Sequence, residues 1–215
     1  MNSDRPQRAN DHPDGTTKRF VPPDWLLASI LVAAVFLAYQ PAWRGLTIWD
    51  DGQYITRARF ASLEGLRLIW FKPGAVGQYY PLLHTAFWIQ MKLWGGTTLG
   101  YHLVNIGCHA VGSLLILSIL RHLNLKGAWF AAAIFALHPV HVESVAWISE
   151  LKNTMSGVFF FAATLMYLRF DENRVWPRYA AATGLFLCAL LSKATAAVWP
   201  IAMLIILWWK RGRIS

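Results

Sequence analysis

The apolar positions of this chain fall in long runs rather than in the alternation of a half-buried strand. The first run, Trp25 to Trp43, would be about 27 Å long as a helix, close to the thickness of a hydrocarbon core. A Trp at each end suits the membrane–water interface. Further runs cover 82–94, 99–120, 127–147, 153–168 and 179–209. The last is too long for one ordinary span, and Ser192 and Lys193 interrupt it. It predicts a hairpin of two spans, 179–191 and 195–209. Residues 82–94 are short and carry His84, Gln90 and Lys92, which suits an interfacial or re-entrant helix better than a crossing. Residues 1–24 are polar and predict a disordered tail. They lack the early apolar core of a cleaved signal peptide, so the first span is expected to remain as an anchor.

Composition agrees with this pattern. Of the 215 residues, 56% are hydrophobic and 14% charged, against roughly 25% charged in a soluble domain. A water-soluble globule is thereby excluded. Cys108 and Cys188 both sit in apolar runs and imply no disulfide framework. The fold class expected is an all-α polytopic membrane protein. It has about six transmembrane helices (25–43, 99–120, 127–147, 153–168, 179–191 and 195–209) and a short interfacial helix in an outer loop, 44–98.

The net charge of +9 then reads as topology. No basic stripe with interleaved aromatics appears, so nucleic acid is not expected as a partner. If 82–94 does not cross, twelve of the twenty Lys and Arg lie in 1–24, 121–126, 169–178 and 210–215. The short turns on the opposite face hold only Lys152 and Lys193. The positive-inside rule places both termini in the cytoplasm. The outer face keeps five acids: Asp50, Asp51, Glu64, Glu143 and Glu150.

Asp50 and Asp51 lie just beyond the first span, between Trp49 and Tyr54. Adjacent carboxylates near a bilayer are costly unless partnered, and like charges raise the pKa of one of the pair, which suits a general base. The plainer reading is a helix cap and a solvated turn acid. His138, His141 and Glu143 lie close in sequence around Pro139, which should kink or end its helix. Such a group could bind a divalent metal, although the spacing matches no recognised zinc pattern; a polar cluster facing the bundle interior is the alternative. Lys152 and Lys193 sit at outer ends of spans, where an ammonium could neutralise a lipid phosphate or simply snorkel. His102, Asn105 and His109 share one face of the second span, as helix-to-helix glue or as ligands. Tyr79-Tyr80-Pro81 reads as an aromatic entry into the short helix.

The order of these motifs resembles a known family. The residues are the acidic pair, Tyr80-Pro81-Leu82, Gly100 to Asn105, Phe135 to Trp147 (containing His138-Pro139-Val140-His141-Val142-Glu143), Leu151-Lys152-Asn153 and Leu191-Ser192-Lys193. Together they are similar to the membrane domain of bacterial tetratricopeptide-repeat multispanning proteins. They also resemble the eukaryotic transmembrane O-mannosyltransferases that act on cadherins, which are GT-C type glycosyltransferases. The resemblance covers about residues 45–213. It implies a partial GT-C fold in a bacterial inner membrane, and a chain that is an N-terminal portion of a larger enzyme. The reaction implied is inverting transfer from a polyprenyl-phosphate-linked sugar to a hydroxyl of a protein or glycan acceptor, outside the cytoplasm.

In that reading an acid of the first outer loop is the base, Asp51 being favoured over Asp50. Lys152, Lys193, His138, His141, Glu143 and Tyr80 line the substrate site. Cations or a divalent metal stabilise the departing phosphate. One departure stands out. Relatives are expected to carry Arg-Lys-Asp where this chain has Leu151-Lys152-Asn153. A scaffold or lipid-phosphate-binding protein of the same fold is the alternative function. A transporter would need inverted repeats with matched broken helices, and none is seen.

Overall fold

In the computed structural model, which describes residues 23–55 and 60–212, the chain is helical almost throughout. The expected disordered tail, apart from its last two residues, and Arg213 lie outside the described residues. The α-helices are α1 (Asp24–Ala38), α2 (Asp51–Ile55), α3 (Leu63–Phe71), α4 (Pro81–Trp94), α5 (Thr98–His122), α6 (Ala128–Leu137), α7 (Val142–Ala146), α8 (Leu151–Asn173), α9 (Trp176–Ser192) and α10 (Trp199–Arg211). Proline sits in the first turn of α4, α9 and α10, where its missing N–H costs nothing. Gly127, at φ 81°, supplies the left-handed residue that starts α6.

Taken singly, α5 is the one described helix long and apolar enough to cross a bilayer; α6 and the 139–146 segment pass only together, as a pair bent by 47°, the form of a broken span or a re-entrant loop. The 127–147 segment is thus broken at Pro139, where the sequence predicts a kink or a helix end. Pro139 cannot donate to the helical ladder, and Pro139–His141 forms a 3-10 turn instead. The first helix likewise stops at Ala38, and Gln40–Arg44 continues as a 3-10 turn.

Packing explains why α6 can be so apolar. Ala128, Ala132 and Ala136 recur every four residues and are buried against α1 and α5. Small side chains let the backbones approach closely, the contact that favours helix association in lipid. The opposite face carries Phe130, Ile134 and Leu137, all exposed. On α10, Trp199 and Met203 are buried while Ile201, Leu204, Ile205 and Trp208 face outward. In a soluble protein these outward faces would be polar. Here they match a hydrocarbon surround. α8 packs along α9 and α5 and forms the spine of the bundle.

The two ends differ in chemistry. At one end Arg121 pairs with Asp24 at 2.8 Å, His122 lies 3.1 Å from Glu172, and Lys210 lies 3.4 Å from the same Glu172. Asp171 is paired with Arg211 and lies 3.5 Å from Arg174. The turns 121–126 and 169–178 and the end of α10 therefore share one face, as the charge pattern predicted. The acidic pair, the 147–153 turn and Lys193 meet away from this cluster.

Candidate functional site

The site is built where α2, α4, the α7–α8 turn and the α9 terminus converge. Residues 48–51 form a closed loop. The Asp51 N–H donates to the Ile48 carbonyl at 3.0 Å, and the Ile48 N–H donates to Asp51 Oδ2 at 2.9 Å. Trp49, at the tip, is held at φ 47°, a conformation that L residues adopt only when their surroundings enforce it. Asp51 is fully buried, and its other oxygen accepts the Ser149 N–H at 2.8 Å. Its two carboxylate oxygens thus tie the loop to the 3-10 turn Ile148–Glu150. Asp50 is half-buried, and its Oδ1 accepts the Ser149 hydroxyl at 2.8 Å. One serine therefore holds both acids, through N–H and through Oγ.

Asp50 lines a cavity of about 240 Å³ with Gln53, Tyr54, Gly77, Gln78, His84 and Lys152. The Tyr54 and His84 rings stack, with centroids 5.3 Å apart and 9° between planes. Burial pushes the Tyr54 phenol above its ordinary range. Lys152 Nζ lies 2.7 Å from Glu150 Oε1. Burial pulls the Lys152 ammonium down, but its hydrogen bond and charge contact with Glu150 outweigh this and hold it above the ordinary lysine value.

A polar chain continues from there. Asn153 Nδ2 donates to Glu150 and, at 2.9 Å, to Ser144 Oγ, while Asn153 Oδ1 accepts from Lys193. Lys193 is thus held by a neutral amide. It lines a second cavity, of about 290 Å³, with Asn153, Ser156, Gly157, Phe160, Thr195 and neighbours. Lys152 and Lys193 are therefore brought together through Glu150 and Asn153, as the sequence could not show. Tyr80 packs half-buried against the core formed by Ile55, Leu83 and Ile148.

The remaining sequence candidates separate. His138 accepts the Val140 N–H on its own Nδ1 at 3.2 Å and caps the 3-10 turn. His141 packs against Phe135 and His109, with centroids 4.4 and 5.2 Å away. Glu143 faces a different cavity, beside Trp49, Asp51, His102 and Trp147. Among the described residues no three His, Cys, Asp or Glu side chains gather as a metal would require. His138, His141 and Glu143, read from the sequence as a possible metal set, have different surroundings: the 3-10 turn, the Phe135 and His109 rings, and the cavity beside Trp49. His102 and His109 act as glue: they lie 3.2 and 2.9 Å from the Gly45 and Ala136 carbonyls. Ser149 was not singled out by the sequence reading, and Asn153 was named only within the Leu151-Lys152-Asn153 motif, not as the link between Glu150 and Lys193. Their signal was a polar Ser149-Glu150-Leu151-Lys152-Asn153 run between two apolar segments.

The sequence model of the dolichyl-phosphate-mannose-protein mannosyltransferase family matches residues 79–215, well over half of the chain. The chain belongs to that family. The match includes Lys152, Lys193 and the 138–153 segment of this mannosyltransferase-family chain, while Asp50 and Asp51 precede it. Among curated relatives, Protein O-mannosyl-transferase Tmtc1 of Drosophila melanogaster is 38% identical over 125 residues, covering 57% of this chain and 15% of that protein. Protein O-mannosyl-transferase F38B6.6 of Caenorhabditis elegans is 35% identical over 158 residues, covering 66% and 23%. Protein O-mannosyl-transferase TMTC3 of Homo sapiens is 33% identical over 119 residues, covering 54% and 13%. The chain spans less than a quarter of the length of each of these three. No solved structure matches it.

Proposed function

We propose that this chain forms the donor-side portion of a membrane O-mannosyltransferase. It would transfer mannose from a polyprenyl-phosphate-mannose to a hydroxyl of a protein acceptor on the extracytoplasmic face. The observation that carries this reading is the cavity that Asp50 and Lys152 both line, a carboxylate and an ammonium. Asp50, rather than Asp51, is the base, because Asp51 is fully buried and engaged by two backbone N–H groups.

In the reaction the acceptor hydroxyl gives its proton to Asp50 as its oxygen forms a bond to the anomeric carbon. The bond from that carbon to the phosphate oxygen breaks, and the phosphate departs with the electron pair. Lys193, held by a neutral amide, and Lys152 offset the growing negative charge. Family membership, the outward apolar faces of α6 and α10, and the opposed polar ends support a six-span arrangement with both termini in the cytoplasm and α4 at the interface.

The test uses full-length protein in liposomes with radiolabelled polyprenyl-phosphate-mannose. Asp50→Asn should lower transfer by about 10³-fold, within the range a positioned base contributes, while photo-labelling by a donor analogue persists. Transfer within threefold of wild type would remove Asp50 from the chemistry. Retained labelling with no wild-type transfer would favour a lipid-phosphate-binding scaffold.

A further inference from the structure

Asn105 lies on α5 with no exposed surface. Its Nδ2 donates to the Ser144 carbonyl at 3.0 Å and to the Trp147 carbonyl at 2.9 Å. Its Oδ1 accepts the Thr154 hydroxyl. The orientation of the amide is decided by its partners, since a flipped group would set its oxygen against two carbonyls. One side chain thereby joins α5 to both sides of the turn that carries the site. On one side, two residues after Trp147, Ser149 holds Asp50 and Asp51. The Trp147 carbonyl also accepts the Glu150 N–H, at 3.2 Å. On the other side, Thr154 adjoins Asn153, which holds Lys193 and Glu150.

We propose that Asn105 is a positioning residue that fixes the spacing between the carboxylate support at Ser149 and the ammonium pair at Lys152 and Lys193. This rests on the function proposed above. Asn105 contacts none of the reacting groups. It acts by clamping the two arms of the 144–154 turn against a rigid helix, so that base and phosphate-binding cations keep one separation. A small displacement of such a pair is costly in rate, because attack needs both at once.

The test has a readout that does not depend on turnover. Thr154→Val in the full-length protein removes one arm of the clamp and keeps the side-chain volume. Hydrogen exchange of the Ser149 amide should quicken about tenfold, with exchange in the middle of α8 unchanged. Transfer per folded molecule should fall about tenfold in kcat, with KM for the donor within twofold. Thr154→Ser should restore both. Asn105→Asp, which keeps the shape but offers no N–H to the two carbonyls, should have the larger effect. If that variant does not fold, the Val and Ser pair decides.

Wild-type exchange at Ser149 in Thr154→Val would overturn the proposal. So would faster exchange throughout α8 in step with lost folded protein, since that is a general structural role. If the wild type transfers no mannose, the proposed function fails, while Ser149 exchange still tests the clamp.

Discussion

Glu150→Gln separates charge from shape at the centre of the site. Glu150 and Lys152 lie 2.7 Å apart with side chains 12% and 14% exposed. The glutamine keeps the volume but has one acceptor oxygen, so it can accept from Asn153 or from Lys152 and turns its NH₂ toward the other. What disappears is the charge that holds the Lys152 ammonium up. A charge-assisted hydrogen bond contributes about 1.5–3 kcal/mol, and losing it moves the Lys152 ammonium down. Burial, which already pulls the ammonium down, is then unopposed by Glu150. The sign follows from the direction of the wild-type shift. A raised lysine contributes stability that is present below its unfolded value and lost only as pH rises through the higher folded value. In wild type that loss lies above the ordinary lysine value of 10.5. In Glu150→Gln it moves to lower pH, and donor labelling should fail there too. Reductive methylation with ¹³C-formaldehyde followed by NMR titration reports the Lys152 signal directly, assigned by its absence in Lys152→Arg. A Lys152 that titrates at or above the wild-type position in Glu150→Gln would refute the reasoning.

Two further substitutions test the frame. Asp51→Asn puts an NH₂ against one of two backbone N–H groups, Ile48 or Ser149; it should cost about 1–3 kcal/mol, read as a lower unfolding temperature in detergent, with residual transfer still detectable. Ala132→Leu forces a large side chain into a site with no exposed surface between α6, α1 and α5. It should destabilise by about 1–3 kcal/mol, measured by the same unfolding assay.

The longer helices were legible from predominantly apolar runs, and α4, α5 and α9 begin and end within about three residues of the expected limits, whereas α2 and α3 had no such run. The break at Pro139 was legible as well, since proline acts locally. The charged ends were legible through the unequal distribution of Lys and Arg. The site was legible only in part. Asp50, Lys152 and Lys193 stood out as charges beside apolar runs. Their connection through Ser149, Glu150 and Asn153 depends on how the 147–153 turn folds over α2, a long-range contact with no local pattern. The difference in surroundings between Asp50 and Asp51 was hidden for a related reason. Neighbouring acids look alike in sequence, and only the direction of each carboxylate, one into the cavity wall and one onto two backbone amides, distinguishes them. Nearness in sequence likewise did not show that His138, His141 and Glu143 would take different partners around the 3-10 turn.

The departure at 151–153 is coherent in physical terms. The resemblance leads one to expect Arg-Lys-Asp, with a net charge of one positive unit. Leu151-Lys152-Asn153 has the same net charge, because one cation and one anion are replaced together. Leu151 is 1% exposed and belongs to the core with Ile55, Leu83, Tyr101 and Ile148. A guanidinium there would need a partner or would cost several kcal/mol to bury. Asn153 in turn does what an aspartate could not, since it donates to Ser144 and Glu150 while accepting from Lys193. With a carboxylate at 153, Lys193 would already be neutralised and Glu150 would face a like charge. With the amide, Lys193 keeps its full charge for an incoming anion, and Glu150 is left to Lys152. Under the proposed function, Lys193, held by the Asn153 amide, is then the cation available to a lipid phosphate.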